Sequence, residues 1–123
     1  MRRYAQVTRL VPEQEAEYVR YHQEVWPDVL RVIAACEITN YSIFLSNGFL
    51  FSYLEYNGSD YEADMRKMAA SPEMQRWWKI MNPTLTAVDA SKPEELWSPM
   101  REVFHFDGGE SQASIEVLAK SNR

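Results

Sequence analysis

Residues 38–56 read ITNYSIFLSNGFLFSYLEY, and this stretch decides the fold. Two runs rich in β-branched and aromatic residues, 38–46 and 49–56, flank the dipeptide Asn47-Gly48. Asn-Gly is the strongest short signal for a two-residue hairpin, because both central positions of a type I′ turn need a positive φ. The sequence therefore predicts an antiparallel hairpin in the middle of the chain.

A strand and an interrupted helix are predicted before the hairpin. Residues 3–10 alternate apolar and polar side chains and favour a strand. Pro12 suits the first turn of a helix, whereas Pro27 lacks the N–H that a helix interior needs. We therefore expect two helical pieces, at about 12–24 and 27–36.

The second half of the chain predicts another split helix and a last strand. The first predicted helix is capped by Ser59 or Asp60 and runs to about Ala70, and the second runs from Ser71-Pro72 to about Met81. A loop follows that contains Pro83, Pro93 and Pro99. The last predicted element is a strand over 100–106. The order β-α-β-β-α-β matches the ferredoxin-like α+β plan, with one four-stranded antiparallel sheet. We expect a single domain over 1–107. The polar segment 108–123 is predicted to be a tail that is mobile or forms a marginal helix.

Both faces of the predicted sheet are at least half apolar. In strand 49–56, for example, Phe49 and Phe51 alternate with Leu50 and Leu54. The helices can cover only one face, and we expect a homodimer to cover the other, sheet against sheet. The alternative is that edge strands simply expose apolar side chains to water.

Composition excludes several classes of function. The chain has 123 residues, 13 basic and 18 acidic, for a net charge of −5. No basic cluster points to nucleic acid, and no run approaches the roughly 20 apolar residues that cross a membrane. Cys36 is the only cysteine, so no intrachain disulfide is available, and the N-terminus lacks the apolar region of a secretion signal. We expect a cytoplasmic protein.

The chemistry-bearing residues begin on the first helix. Tyr18 and His22 are four residues apart, which puts a phenol and an imidazole on one face, and Trp26 follows one turn later. The same spacing is also typical of a stripe packed into a core. Trp77-Trp78 can form an apolar wall for a sugar ring, or divide between the core and an interface.

Metal and cofactor sites are not indicated. The two histidines, His22 and His105, are far apart in sequence and lie outside any spacing typical of zinc ligands. The chain has four glycines and no glycine-rich phosphate loop. We therefore expect a site that works without a metal or cofactor.

Four segments together resemble the L-rhamnose mutarotase family. They are the Y-x-x-x-H-x-x-x-W-P pattern of residues 18–27, the N-Y-x-I pattern of 40–43, the R-W-W pattern of 76–78 and the E-V-F pattern of 102–104. They occur in order across residues 3–107, and such a linked set is far more specific than any single motif. The resemblance implies a ferredoxin-like domain paired as a dimeric α/β barrel.

The resemblance also implies a cofactor-free enzyme that interconverts the α and β anomers of L-rhamnose. In that interpretation His22 is the proton donor, and the sugar is bound by Tyr18, Tyr41, Trp77 and Trp78. The group that takes the proton of the anomeric hydroxyl is left open, with Tyr18, Glu102, His105 and water as candidates. Trp26 is a further candidate for the site.

Three alternatives stay open. L-fucose, another 6-deoxy sugar, is a second candidate substrate. The same barrel shape serves small monooxygenases and polyketide-processing enzymes, so an aromatic substrate would also explain the many rings. A non-catalytic sugar-binding module would use the same pocket without accelerating anomer exchange.

Overall fold

A computed structural model of the chain describes residues 1–108 and 112–121. One antiparallel sheet carries helices on one face. The strands are β1 (Arg2–Leu10), β2 (Ile38–Ser46), β3 (Phe49–Tyr56), β4 (Leu85–Thr86) and β5 (Ser98–Met100). The helices are α1 (Glu15–Gln23), α2 (Pro27–Ala35), α3 (Tyr61–Ala70), α4 (Pro72–Met81) and α5 (Gln112–Ser121). No helix within the described ranges is long and apolar enough to cross a membrane.

The sheet has the predicted ferredoxin-like order. β2 pairs with β3, β3 with β1, and β4 and β5 share the fourth position along the other edge of β1. All of these pairs are antiparallel, so the predicted α+β fold is confirmed. β4 lies in the segment predicted to be a loop. A two-residue strand is too short to show a period in the sequence.

Local signals place most of the element boundaries as predicted. Asn47 and Gly48 have φ values of 51° and 79°, as a type I′ turn requires. Pro27 begins α2, and α1 ends before it. The Asp60 side chain accepts a hydrogen bond from the backbone N–H of Ala63 at 3.1 Å and caps α3.

The prediction of a strand over 100–106 is wrong in its bounds. β5 ends at Met100, and residues 101–107 form no strand. Met100 pairs with Ala5, and β1 begins only three residues earlier, at Arg2. A strand that continued to residue 106 would run past the end of β1. Its N–H and C=O groups would then have no ladder partner in the same chain.

The helix-facing side of the sheet holds the core. Leu10, Leu50 and Leu54 are buried there against Val29 of α2 and Trp77 of α4. Residues opposite one another in the register point to the same face. The alternation of β1 and β3 therefore sends every second side chain into this core.

The other side of the sheet, here called the outer face, is also apolar. Phe44, Phe51 and Val7 lie side by side across β2, β3 and β1. Phe44 is 62% exposed, and in the segment after β5 Val103 and Phe104 are each 81% exposed. The described chain thus leaves Phe44, Val103 and Phe104 largely exposed, whereas Val7 and Phe51 are partly buried.

The division into a domain over 1–107 and a tail over 108–123 stays a prediction. α5 occupies Gln112–Ser121 within that tail, and its side chains from Ile115 to Lys120 are exposed. Residues 109–111 and 122–123, on which part of the prediction falls, lie outside the described residues.

Candidate active site

Helix α1 places a phenol and an imidazole together, as their spacing predicts. The rings of Tyr18 and His22 stack with centroids 4.1 Å apart and planes 24° apart. Tyr18 is 4% exposed, whereas His22 is only partly buried. The tyrosine ring therefore forms a fixed support on which the imidazole rests.

The backbone of α1 fixes the protonation pattern of the His22 ring. Nδ1 lies 2.8 Å from the carbonyl oxygen of Tyr18. A carbonyl oxygen only accepts, so Nδ1 carries the proton and donates it, and Nε2 of the neutral ring keeps a free lone pair. Burial lowers the pKa of His22 from its ordinary value of 6.5, although the bond to Tyr18 opposes this. At pH 7 the neutral imidazole is thus the major form.

Helix α4 brings the two adjacent tryptophans to the same place. Ser71 accepts a hydrogen bond from the backbone N–H of Met74 and caps this helix. Trp77 is 6% exposed and meets His22 edge-on, with ring centroids 5.3 Å apart. Trp78 is only partly buried.

A bulge in β2 positions Tyr41. The pairing of β2 with β3 shifts between Thr39 and Ser42, and Asn40 between them has φ 48°. The Asn40 side-chain amide donates to Glu55 Oε1 at 2.5 Å, which holds this left-handed residue in place. The bulge keeps Tyr41 on the helix-facing side of the sheet, 42% exposed, where it lines a cavity.

The two phenols of the site keep their protons and have open hydroxyls. Desolvation raises the pKa of Tyr18 and of Tyr41 above the ordinary value of 10.0. Neither hydroxyl has a hydrogen-bond partner among the described residues. No buried side-chain oxygen there lacks a partner, so the Tyr18 hydroxyl must reach the accessible surface. Both hydroxyls are free to bind a ligand.

Two adjoining cavities lie between the sheet and the helices. The tryptophan cavity, of about 520 Å³, is lined among others by Gln6, Tyr41, Tyr61, Trp77, Trp78 and Trp97. The histidine cavity, of about 340 Å³, is lined among others by His22, Leu30, Tyr41, Ile43 and Trp77. Tyr41 and Trp77 line both, so the two cavities adjoin at these side chains. A smaller hollow of about 250 Å³ lies beside them and is lined by Tyr18 and His22 of α1 and by Ile43 and Leu50 of the sheet.

Four of the eight predicted site residues line these two cavities: His22, Tyr41, Trp77 and Trp78. A fifth, Tyr18, stacks on His22 and lines the neighbouring hollow with it. Trp26 packs edge-on against Trp77, with centroids 5.1 Å apart, and lines neither cavity. Trp26 therefore packs behind Trp77 and supports its position.

Glu102 and His105 lie elsewhere. Glu102 Oε1 accepts a hydrogen bond from Arg3 Nε at 2.9 Å, and His105 Nδ1 lies 3.8 Å from the same oxygen. Both side chains belong to the exposed segment after β5 and line neither cavity. The geometry of one chain therefore offers no route by which either acts at His22.

Sequence reasoning missed polar residues of the tryptophan cavity. Gln6, Asn82 and Glu94 contribute to its lining. Alternation in β1 could have revealed the first, since it puts Gln6 on the same face as Thr8 and Leu10, which are both buried. Asn82 follows α4 and Glu94 precedes β5, and in such connecting segments no helix or strand periodicity indicates which way a side chain points. Within the described ranges, no group of three or more His, Cys, Asp or Glu residues could hold a metal ion.

Comparison with known proteins identifies the family. The family model described as L-rhamnose mutarotase matches residues 3–106. The chain belongs to the L-rhamnose mutarotase family. Its relatives include the L-rhamnose mutarotase of Opitutus terrae, 39% identical over 76% of this chain and 86% of the relative. That of Lactiplantibacillus plantarum is 34% identical over 87% of this chain and all of the relative. The predicted resemblance and the prediction of an isomerase of this type are confirmed.

Solved structures share the fold of this mutarotase family member. L-rhamnose mutarotase FA22100 from Formosa agariphila has a TM-score of 0.69 at 22% identity, covering 87% of this chain and all of that one. Tetracenomycin F2 cyclase from Streptomyces glaucescens, a type-II polyketide cyclase, has a TM-score of 0.65 at 14% identity, covering 89% of this chain and all of that one. The second likeness shows that the fold alone does not fix the reaction.

Proposed function

We propose that this chain interconverts the α and β anomers of L-rhamnose without a cofactor, with His22 as the acid/base group. The observation that carries the proposal is the His22 ring itself. Its Nδ1–H is held by the Tyr18 carbonyl, which leaves Nε2 as the free ring nitrogen, and His22 lines a cavity together with Trp77 and Tyr41. The relatives named L-rhamnose mutarotase support the choice of sugar.

One imidazole is enough for the proton transfers of this reaction. In ring opening, Nε2 of neutral His22 takes the proton from the anomeric hydroxyl, and the C1–O1 bond becomes a carbonyl as the C1–O5 bond breaks. The imidazolium then gives the proton to O5. Both oxygens are bonded to C1, so a small shift of the sugar brings each in turn to Nε2.

Ring closure reverses these steps after the aldehyde rotates about C1–C2. His22 takes the proton back from the C5 hydroxyl, which attacks the other face of the carbonyl, and returns it to O1. Protonated His22 is thus the donor to the ring oxygen. A separate base such as Glu102 or His105 is not needed. Positioned acid/base catalysis contributes about 10²–10⁴-fold.

The aromatic walls suit a deoxy sugar. The indoles of Trp77 and Trp78 offer apolar planes to the C–H face of the ring and to the 6-methyl group. The hydroxyls of Tyr18 and Tyr41 lack partners in the described chain and can bind sugar hydroxyls. Because desolvation raises the pKa of each phenol, both bind as neutral donors.

We further propose that the working protein is a homodimer in the cytoplasm. The outer face and the segment after β5 together expose Phe44, Val103, Phe104 and Phe106. Covering such a surface with a second copy of the chain removes apolar area from water at about 25 cal/mol per Å². The same contact would give residues 101–107 a strand edge to pair with.

Saturation-transfer NMR of anomer exchange tests the function. The wild-type chain should accelerate exchange of L-rhamnose, and L-fucose and an unrelated hexose measure its selectivity. His22→Ala should lose about a hundredfold or more of the acceleration. Arg20→Ala is the matched control, because Arg20 lies on the same helix with an exposed side chain that, within residues 1–108 and 112–121, contacts Glu17 and Tyr21.

Three results would overturn the proposal. Binding of the sugar without faster exchange would identify a binding module. Full activity in His22→Ala, with a native circular dichroism spectrum, would remove His22 from the mechanism. Faster exchange of L-fucose than of L-rhamnose would move the substrate to the other 6-deoxy sugar.

A further inference from the structure

Gln6 is the polar residue on the sheet floor of the tryptophan cavity. It lies on central strand β1, opposite Ser52 of β3, and shares its face with buried Thr8. Its neighbours around the cavity are mostly rings and aliphatic side chains, including Tyr61, Met65 and Leu54. A side-chain amide in such surroundings needs hydrogen-bond partners, because unpaired polar groups are costly to bury.

The Gln6 amide has no such partner among the described residues. The hydrogen bond recorded at this residue beyond the strand ladder goes from Ser52 Oγ to its backbone carbonyl, at 3.5 Å. No buried side-chain nitrogen or oxygen of the described chain is without a partner. Gln6 is not an exposed residue, so both atoms of its amide must reach accessible space. Gln6 lines the tryptophan cavity and also a neighbouring pocket that shares Tyr61 with it, so an unused donor and acceptor stand where these two spaces meet the sheet.

Its position relative to His22 indicates which part of a sugar it would meet. His22 lines the histidine cavity and Gln6 the tryptophan cavity, while Tyr41 and Trp77 line both. The two cavities also share Val29 and Ile33, so a pyranose placed across the shared residues would have His22 on its histidine-cavity side and Gln6 on its tryptophan-cavity side. In a six-membered sugar ring C4 lies across from C1, and C3 lies across from O5. A ring whose C1–O5 edge faces His22 therefore turns its C3–C4 edge toward Gln6.

We propose that Gln6 is a specificity-determining residue that binds the hydroxyls at C3 and C4 of the sugar through its side-chain amide. The inference rests on the proposed mutarotase function and adds a recognition contact to it. Adjacent hydroxyls can engage the amide oxygen and the amide N–H together. L-rhamnose carries both hydroxyls equatorially, whereas the C4 hydroxyl of L-fucose is axial. Gln6 thus favours the rhamnose configuration.

The proposed hydrogen bonds can be removed by changing Gln6 or by changing the sugar. Gln6→Met keeps the length and volume of the side chain and removes the amide, and Gln14→Met makes the same change at an exposed residue outside both cavities. We expect Gln6→Met to raise KM and the calorimetric Kd for L-rhamnose about tenfold with kcat unchanged. Its preference for L-rhamnose over L-fucose should fall. Gln14→Met should match the wild type.

Deoxy sugars separate recognition from mere support of the fold. The wild type should bind 4-deoxy- and 3-deoxy-L-rhamnose more weakly than L-rhamnose, because each of these sugars lacks one of the two hydroxyls. For at least one of the two deoxy sugars, the Kd of Gln6→Met should then exceed that of the wild type by less than about twofold. An unchanged Kd for L-rhamnose in Gln6→Met would overturn the inference. So would an equal loss for L-rhamnose and both deoxy sugars, since that indicates a structural role.

The two proposals fail in different ways. If the wild type does not accelerate exchange, or His22→Ala retains acceleration, the mutarotase mechanism fails, and the Kd series still decides whether Gln6 binds the sugar. If exchange depends on His22 while every Kd is insensitive to Gln6, only the present inference fails. A chain that binds none of these sugars overturns both.

Discussion

Both faces of the sheet carry apolar side chains, but the two faces differ in how far these side chains are covered. On the helix-facing side, Leu50 and Leu54 are 1% and 7% exposed beneath the chain's own helices. On the outer face, Phe44 is 62% exposed. The helices also leave open space, the two cavities, around His22 and Tyr41.

The residues of the proposed reaction and those of the proposed dimer contact therefore lie on opposite sides of the sheet. His22, Tyr41 and Trp77 come together within one chain, so the proposed reaction needs no residue from a second copy. The outer face, by contrast, is complete only when something covers it. Substitutions on the inner side should therefore change sugar chemistry or folding, whereas substitutions on the outer side should change the oligomeric state.

The largest effect is expected from Trp77→Ala on the inner side. Trp77 is 6% exposed and contacts the rings of Tyr21, His22 and Trp26. Deleting so large a buried side chain should lower the free energy of unfolding by about 3–5 kcal/mol. Urea denaturation followed by circular dichroism measures this loss.

Trp78→Ala is the control for that substitution. Trp78 is only partly buried and lines the tryptophan cavity, so its removal should cost much less stability while still weakening sugar binding. Equal destabilisation by the two substitutions would show that the adjacent tryptophans do not divide between core and cavity.

The next effect is expected from Phe44→Asp on the outer face. Because Phe44 is 62% exposed in one chain, the change should hardly affect an isolated fold. A charge buried without a partner in a dimer interface should weaken the dimer by about 2 kcal/mol or more. Sedimentation velocity should then show monomers where the wild type shows dimers.

Ile80→Asp is the matched control, since Ile80 is 37% exposed on helix α4 rather than on the sheet. It should leave the oligomeric state unchanged. A monomeric wild type, or a Phe44→Asp protein that still dimerises, would show that a second copy does not cover the outer face.

The smallest effect is expected from removing the tail. The described side chains of α5, from Ile115 to Lys120, are exposed, and the family match ends at residue 106. A chain ending at residue 107 should keep its activity and lose less than about 0.5 kcal/mol of stability. Thermal melts and the exchange assay check both. A marked loss of activity or of stability would show that the tail is part of the folded, active domain.

Most of the fold was predictable because its signals are local. Asn47-Gly48 makes the hairpin through its own φ preferences, and Pro27 breaks the first helix because it has no N–H. The end of the last strand was not predictable in this way. Residues 101–107 have strand-like composition, but pairing depends on where β1 begins, which is a property of the whole sheet.

Some features of the site could be predicted from the sequence and others could not. Spacing alone put Tyr18 and His22 on one helix face, and the structure stacks them. The meeting of His22 with Trp77, from α4, joins segments far apart in sequence, and only the resemblance to a family suggested it. The free Nε2 of His22 depends on a backbone hydrogen bond that no sequence pattern reports.

The most direct test of the account is the pH dependence of L-rhamnose anomer exchange, measured by saturation-transfer NMR between about pH 4.5 and 8. Because the neutral ring of His22 starts the reaction and burial lowers its pKa, protonation at low pH should block Nε2. The account predicts an enzyme-dependent rate that rises with pH, levels off near neutrality, has its midpoint below pH 6.5 and disappears in His22→Ala. A rate that falls as pH rises through this range, or an unchanged profile in His22→Ala, would contradict it.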